Sequence, residues 1–191
     1  MLDVSVQATG ISILKNKYDK MLNTSFTLFP ILTTEKLTLR QLSLNDEHEI
    51  FILRSDSEIN KYLDRQISNT IDDARNFINK VNENNLLYWA ITFSNKNILI
   101  GTICLFSFSE EDNKCEIGYE LLEDFQRQGI MKEAAEKVID YAFNIINVKK
   151  IEAVPHRDNK NSINLLEKLS FKNSNEYNKT TPELVCYYLT K

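Results

Sequence analysis

The sequence lacks the features of a disulfide-rich, metal-bound or membrane-spanning protein. Its three cysteines, Cys104, Cys115 and Cys186, are far apart and form no CxxC pair, which argues against a disulfide framework and against a zinc site. No apolar run is long enough to span a bilayer. No basic segment followed by an apolar stretch and a small-residue cleavage site opens the chain. We therefore expect a reduced, cytoplasmic setting, no metal and no membrane partner.

The sequence also lacks any run of Lys or Arg, and its formal net charge is −4. Direct binding of nucleic acid through a broad basic face is therefore disfavoured.

A length of 191 residues predicts one domain, with or without a tail. We expect residues 33–191 to form this domain, because residues 1–23 mix apolar and polar residues without a sustained period and the pattern sharpens from Thr34. Residues 1–32 are an N-terminal extension of unclear status. One hypothesis is that Met21 is the true start, and the alternative is an ordered strand or helix that packs on the domain.

Hydrophobic periodicity predicts strands and helices around one sheet. Alternation predicts a first strand over residues 36–42, and two apolar runs, 86–93 and 98–108, predict a hairpin. Helical spacing predicts helices beginning near Asn45 and after Thr70, and covering residues 130–146 and 159–169. Further short strands are predicted from near Cys115 and over residues 150–154, 171–177 and 183–190. The predicted fold class is α/β (α+β), a mixed domain around one sheet.

Glycine is scarce, with only four in the chain, so the position of Gly129 is informative. It lies in residues 126–131, between a predicted strand and a predicted helix. The first N–H groups of a helix have no internal partner and favour an anion, and glycine lets a ligand approach the backbone. The segment is a candidate phosphate site. A plain turn is the alternative interpretation of the glycine alone.

Three further segments stand out beside residues 126–131. These are TTEKLTLR at residues 33–40, EIGY at 116–119, and NKNS at 159–162 followed by LLEKLSF at 165–171. The order and spacing of the four segments together resemble the GNAT acyltransferase superfamily, and within it the ribosomal-protein N-acetyltransferase (RimJ/RimL-like) branch. The family's pyrophosphate signature matches Gln126 and Gly129, whereas Met131 departs from its usual small residue and Ser170 replaces a glycine of the family pattern.

The resemblance implies a GNAT-like acyl-CoA N-acyltransferase fold, with a twisted, mostly antiparallel mixed sheet flanked by about four helices. It implies acetyl-CoA as co-substrate, bound where the fourth strand of the family pattern splays from the fifth. We expect a bulge at Gly118 or at residues 121–122 to produce the splay. The implied cofactor-binding residues are Leu121, Leu122, Gln126, Arg127, Gln128, Gly129, Ile130, Met131 and Asn159. Arg127 and Gln128 are equally well explained as solvated surface, and Asn159 as a helix cap.

The resemblance further implies direct attack of a primary amine on the thioester. Glu116 is the preferred general base, directly or through water, and Glu120 and His156 are the other candidates. Ser162 would protonate the departing thiolate. The alternative interpretations are exposed strand glutamates for Glu116 and Glu120, and helix capping for Ser162.

The acceptor is not indicated by any motif. The branch suggests a protein N-terminus, possibly of a ribosomal protein, while a small amine or an antibiotic stays open. Aromatic candidates for the acceptor site are Tyr62, Tyr88, Trp89, Tyr177 and Tyr187, for most of which core packing is the default. A non-catalytic acyl-CoA-binding or interaction module is the alternative function. A homodimer follows from family analogy alone.

Overall fold

The structure is a computed structural model that describes Leu22 and residues 26–174 and 181–191. Within these ranges the strands are β1 Leu32–Thr33, β2 Leu37–Gln41, β3 Leu87–Phe93, β4 Lys96–Ser109, β5 Lys114–Leu121, β6 Lys150–Ala153, β7 Lys172–Asn173 and β8 Tyr187–Thr190. The α-helices are α1 Glu47–Ser55, α2 Ser57–Asn60, α3 Ile71–Glu83, α4 Ile130–Tyr141 and α5 Lys160–Lys168. Short 3-10 turns cover Leu44–Asp46 and Glu123–Phe125, and a π-helical turn covers Ala142–Ile146.

All the described strands belong to one sheet of eight, in the order β1-β2-β3-β4-β5-β6-β8-β7. Neighbouring strands are antiparallel except β5 and β6, which are parallel. A parallel pair needs a long crossover, and here α4 lies in the connection between them. The mixed sheet therefore has a single parallel junction near its middle.

Two hydrophobic clusters hold the helices on opposite faces of this sheet. Helices α1 and α3 cover one face, where Ile50, Leu53, Ala74 and Ile78 pack with Ala90 and Leu99. Helices α4 and α5 cover the other face, where Ala134, Val138 and Leu166 belong to the cluster of Trp89 and Ile103. Because side chains alternate along a strand, Trp89 and Ala90 point to opposite clusters.

Most of the predicted elements are confirmed. The helix predicted after Thr70 is α3, and Thr70 and Asp73 form a reciprocal capping box at its start. The helix predicted near Asn45 begins with a 3-10 turn and becomes α1 at Glu47. The four-residue α2 and the two-residue β1 were not predicted. With α2, the helices number five in the described chain instead of about four.

The segment before residue 33 contacts the domain where it is described. The indole Nε1 of Trp89 donates to the backbone oxygen of Pro30 at 2.7 Å, and the ring of Phe29 packs edge-on against Trp89. Leu32 is buried in β1. The packed domain therefore includes residues just ahead of position 33, whereas Met21 and Tyr177 lie outside the described residues.

The long helix predicted over residues 130–146 changes its winding before it ends. After Tyr141 the chain forms the π-helical turn, and Asn147 ends it with a φ of 70°. A π turn adds residues per turn, which rotates the apolar stripe. Ile146 is consequently buried and Ile145 is 54% exposed, although helical spacing placed Ile145 on the inner face.

Candidate active site

The sheet opens between β5 and β6. The two strands pair only from Lys114 with Lys150 to Glu116 with Glu152, yet β5 continues to Leu121. The last part of β5 therefore has β4 on one side and no paired strand on the other. We call this opening, beside residues 117–121 of β5, the strand gap.

The gap arises without the bulge expected at Gly118 or at residues 121–122. The register of β5 with β4 is regular from Leu121 to Glu116, and the irregularity lies between Phe106 and Ser109 of β4. Gly118 has a packing reason instead, since a Cβ there would lie 3.2 Å from the Phe106 ring. The pairing of β6 with β5 stops at Glu152, whereas β6 continues beside β8 through Ala153, and His156 forms a further bridge with Leu184.

The backbone of β5 offers donors to the gap at alternate residues. The N–H of Leu122 donates to the oxygen of Ile100 at 3.0 Å. The alternation of an antiparallel ladder then directs the N–H groups of Tyr119 and Leu121 away from β4 and toward the gap. Of Leu121 and Leu122, we therefore expect Leu121 to contact the cofactor, because the N–H of Leu122 already has a partner.

Residues 127–129 form an exposed turn without a side-chain cap, and the buried Ile130 and Met131 begin α4. Gly129 is the N-cap, with a φ of 80° and no side-chain cap, and a Cβ added there would meet nothing within 4 Å. Arg127 also has a positive φ, 61°. The side chains of Gln126 and Gln128 fold back onto the oxygens of Leu121 and Asp124. The N–H groups of Ile130 and Met131 are at the start of the helix, where no intrahelical partner exists.

At the start of α5, Asn159 caps the helix and Ser162 does not. The Asn159 side-chain oxygen accepts from the N–H of Ser162 at 3.1 Å, which leaves its amide group for another partner. The Ser162 hydroxyl lies 2.9 Å from the Tyr119 hydroxyl on β5. Burial raises the pKa of Tyr119 to about 12, although the Ser162 hydrogen bond opposes this. Sequence analysis gave Tyr119 no role, and its only signal was its position in the EIGY segment.

The two candidate glutamates of β5 differ in their partners. Glu120 is 8% exposed; its Oε1 accepts from the hydroxyls of Thr102 at 3.0 Å and Tyr88 at 3.2 Å. Its Oε2 lies 2.6 Å from Arg65 Nη2 in an ion pair that is not aligned as a hydrogen bond. Glu116 is half-buried, and its carboxylate has no hydrogen bond or ion pair to the described residues, although its backbone is paired in the sheet. Glu116 is therefore the carboxylate on this face with free lone pairs.

Glu152 on β6, the neighbour of Glu116 across the parallel junction, has its negative charge neutralised by two lysines. Glu152 is paired in register with Glu116, and it forms ion pairs with Lys150 at 2.5 Å and Lys114 at 3.0 Å. Burial raises the pKa of Glu152, but the hydrogen bonds from Lys150 and Lys114 outweigh it and the net shift is downward. Glu116 therefore does not face a second unpaired carboxylate.

His156 lies just beyond β6, and its ring packs against the Tyr62 ring. The ring centroids are 5.2 Å apart. His156 Nδ1 accepts the N–H of Asp158 at 3.1 Å. The Asp158 carboxylate also lies 3.7 Å from the same nitrogen. His156 Nδ1 therefore has partners within its own loop, whereas the Glu116 carboxylate has none among the described residues.

The other aromatic candidates lie in the core. Trp89 is fully buried and Tyr187 is 6% exposed, while the Tyr88 hydroxyl belongs to the Glu120 network. Tyr62 is the described candidate that contacts His156, just beyond β6. Among the described residues, no group of three or more His, Cys, Asp or Glu could hold a metal ion. No helix in the same ranges is long and apolar enough to cross a membrane.

Comparison with known proteins identifies the family of the domain that carries the strand gap, the uncapped α4 and the Asn159 helix. The Acetyltransferase (GNAT) domain family matches residues 36–172. The chain belongs to the GNAT acetyltransferase family. A *Bacillus licheniformis* relative, Uncharacterized N-acetyltransferase p20, is 33% identical over 83% of this chain and 93% of its own length. YoaA of *Bacillus subtilis*, also an uncharacterized N-acetyltransferase, is 32% identical over 75% and 84%.

Solved GNAT structures share the fold. A GNAT-family acetyltransferase from *Bacillus anthracis* superposes with a TM-score of 0.76, at 23% identity, over 84% of this chain and 98% of its own. This GNAT chain is therefore an acetyl-CoA-dependent N-acetyltransferase with the GNAT fold. More distant relatives differ in acceptor by name: "Putative ribosomal N-acetyltransferase YdaF" of *Bacillus subtilis* is 26% identical, and a *Vibrio cholerae* spermidine N(1)-acetyltransferase is 25% identical.

Proposed function

We propose that this GNAT enzyme acetylates the primary amine of a protein N-terminus, by direct attack on acetyl-CoA inside the strand gap. One observation carries the proposal: the unpaired backbone of β5, the Tyr119–Ser162 pair and the Glu116 carboxylate, which has no partner, lie around the same opening. Each element alone has an ordinary structural explanation. Their placement around the same gap supports a site for a thioester and an amine.

The residues that border the gap fit an acyl-CoA. Acetyl-CoA supplies the acetyl group as an activated thioester. The inward N–H of Leu121 and the free amide of Asn159 suit the amides of a pantetheine arm. The first N–H groups of α4, with open space at Gly129, suit a pyrophosphate. Backbone donors carry this part of the site, because Arg127 and Gln128 are exposed and Gln128 already bonds within the loop.

The proton transfers are assigned to opposite faces of β5. Glu116 takes the proton of the attacking amine, directly or through water, because its carboxylate has no other partner. Ser162 gives a proton to the leaving thiolate and takes one back from water, while Tyr119 positions the Ser162 hydroxyl and holds its own proton near neutral pH. Positioning and proton transfer are what direct aminolysis requires of the protein.

The protein N-terminus is proposed from the branch resemblance and from the name of YdaF. The spermidine enzyme among the relatives keeps a small amine as the rival acceptor. The rival is testable, because a peptide with a blocked N-terminus retains everything except the proposed nucleophile.

The test is release of CoA thiol from acetyl-CoA with free N-terminal peptides, the same peptides with blocked N-termini, and small amines including spermidine. Turnover of free but not blocked peptides supports the proposal. Turnover of small amines alone moves the function to that class. Tight CoA binding without turnover of any acceptor supports a non-catalytic acyl-CoA-binding module and overturns the proposed reaction.

A homodimer and a cytoplasmic setting stay predictions. Sedimentation of the purified chain, with and without CoA, measures the oligomeric state. A monomer at every concentration contradicts the homodimer and leaves the proposed chemistry unaffected, since the residues that border the gap all come from one chain.

A further inference from the structure

A hollow of about 380 Å³ lies beside β4, where this strand continues past the start of its neighbour β3. Its lining is mainly apolar and includes Leu86, Tyr88, Cys104, Phe106 and Phe108. Leu86 and Phe106 are 46% and 44% exposed, although both are large apolar residues. None of these residues belongs to the cofactor site described above. We call this space the Phe106 hollow.

Phe106 connects the hollow to the candidate base. It is paired in register with Glu116 of β5, so the two side chains are on the same face of the sheet with Cβ atoms about 5 Å apart. The Phe106 ring leans over Gly118, because a Cβ at that glycine would lie 3.2 Å from the ring. Gly118 is in the part of β5 that borders the strand gap. The ring therefore borders both the hollow and the side of β5 on which Glu116 would receive the amine.

The floor of the hollow is poorly hydrated. Burial raises the pKa of the Cys104 thiol to about 12, and the nearby Glu120 carboxylate adds to the shift. Burial also raises the pKa of Tyr88 well above its usual value. Transfer of an apolar group from water to such a surface is favourable, whereas an ammonium group would lose hydration there.

The charged groups near the hollow already have partners, with one exception. Glu120 accepts the Tyr88 hydroxyl and pairs with Arg65. Lys114, on the same face as Glu116, pairs with Glu152 and with Asp112. The exception is Glu116, which the attacking amine would occupy. The described lining itself contains no Asp, Glu, Lys or Arg, so a cationic side chain would find no counter-ion in the hollow.

We propose that the Phe106 hollow receives the side chain of the acceptor's first residue and selects protein N-termini that begin with a large apolar residue, such as Leu or Met. The proposal rests on the acetyl transfer proposed above and specifies its acceptor class. In an N-terminal residue the side chain branches from the carbon that carries the amine. With the amine at Glu116, that side chain extends over the short in-register distance to Phe106. Phe106 and Leu86 are specificity-determining residues, and the chemistry stays with Glu116 and Ser162.

The first experiment measures binding without turnover. The protein–CoA complex is titrated in a calorimeter with three peptides that differ only in their first residue, which is Leu, Gly or Lys. The Leu peptide should bind about tenfold more tightly than the Gly peptide, equivalent to about 1.4 kcal/mol, and the Lys peptide no more tightly than the Gly peptide. Phe106→Ala should remove this preference, and Phe106→Leu, which keeps an apolar wall, should retain most of it. Equal affinities in the wild type, or no binding of the Leu peptide, would overturn the proposal.

The second experiment compares kcat/KM for the same peptides in the wild type and in Leu86→Asp, which places a carboxylate at the hollow. The value for the Leu peptide should fall about tenfold, or about 1.4 kcal/mol, and the value for the Lys peptide should rise. The value for the Gly peptide and the Kd for CoA should change little, because neither ligand occupies the hollow. An equal loss for all three peptides would show a general defect and refute the selection.

The matched control is Ile98→Ala, which truncates an exposed apolar residue at the other end of β4. It should leave the preference for the Leu peptide as in the wild type, and a loss as large as that of Phe106→Ala would refute the hollow. The two proposals fail separately. Turnover of the three peptides at equal kcat/KM refutes the hollow and leaves the proposed function standing. Binding preference for the Leu peptide without turnover of any acceptor supports the hollow and refutes the proposed function.

Discussion

The hydroxyl of Tyr119 lies 2.9 Å from the hydroxyl of Ser162, and this contact joins β5 to α5 across one face of the strand gap. Glu116 is on the opposite face of the same strand, because side chains alternate. A proton acceptor and a proton donor thus approach the gap from different sides. This arrangement suits direct aminolysis, since the amine loses a proton while the thiolate gains one.

We expect Ser162→Ala to lower kcat about 100-fold, the lower range for loss of a positioned general acid. Tyr119→Phe should lower kcat less, because it orients the donor and Ser162 remains. The double variant should resemble Ser162→Ala, since the two hydroxyls act as a unit. Steady-state kinetics at saturating acetyl-CoA measures this. The exposed turn residue Ser94 gives the control, Ser94→Ala, and strictly additive losses would contradict the pairing.

The same substitution should affect catalysis at Glu116 and stability at Glu120. Glu116→Gln should lower kcat by about 100-fold or more, with the Kd for CoA and the free energy of unfolding unchanged. Glu120→Gln should lower the free energy of unfolding by roughly 3 kcal/mol, because Arg65 loses the charge it is buried against. Urea unfolding and CoA titration, run on both variants, separate the effects. A full rate in Glu116→Gln would remove Glu116 as the base.

The backbone at Gly129 should matter more than the side chain at Arg127. Gly129→Val places a β-branched residue at a φ of 80°, which costs of order 1–3 kcal/mol of stability, and its side chain fills the open space assigned to pyrophosphate. CoA affinity should fall more than about tenfold, or about 1.4 kcal/mol. Arg127→Gly suits its φ of 61° and should change the affinity only slightly. Equal losses in calorimetric titration would assign binding to side-chain charge.

The sequence predicts the elements of this fold better than it predicts their contacts. Apolar periodicity and capping residues are local signals, so β2 to β6, α3, α4 and α5 follow from them closely. The π turn at Ala142–Ile146 has no local signal, and it was enough to bury Ile146 in place of Ile145. The splay was expected, but the bulge expected at Gly118 or at residues 121–122 is absent, since the register of β5 with β4 is regular there.

The roles of Glu120 and Arg65 could not be predicted, because the pair joins residues 55 positions apart in the chain. Alternation placed Glu116 and Glu120 on one face and made them equivalent in sequence. Their environments separate them: helices α1 and α3 bury Glu120 beside Tyr88, while Glu116 lies beyond their cover. Tertiary packing therefore distinguishes a structural carboxylate from a candidate base.

Alkaline pH should destabilise the protein partly through Tyr119. Burial raises its pKa to about 12, above the value of about 10 in an unfolded chain. The stabilising effect is complete below pH of about 10 and is lost as the pH rises toward 12, because the unfolded state releases the proton first, at up to about 1.4 kcal/mol per pH unit. The difference in the free energy of unfolding between wild type and Tyr119→Phe, measured by urea unfolding, should be constant below pH of about 9 and should narrow above it. Parallel curves to pH of about 11 would contradict this.

Ser170 occupies a turn position that favours glycine. Its φ is 66°, and the N–H groups of Ser170 and Phe171 donate to the oxygens of Glu167 and Leu166, which is a Schellman motif at the end of α5. Ser170→Gly removes the left-handed strain and should raise the free energy of unfolding by about 0.5–1 kcal/mol, after the added entropy of the unfolded chain is subtracted. Ser57→Gly, at a helical position without positive φ, should lower it by a similar amount. Thermal unfolding measures both, and a destabilised Ser170→Gly would show that the serine side chain contributes contacts that outweigh the strain.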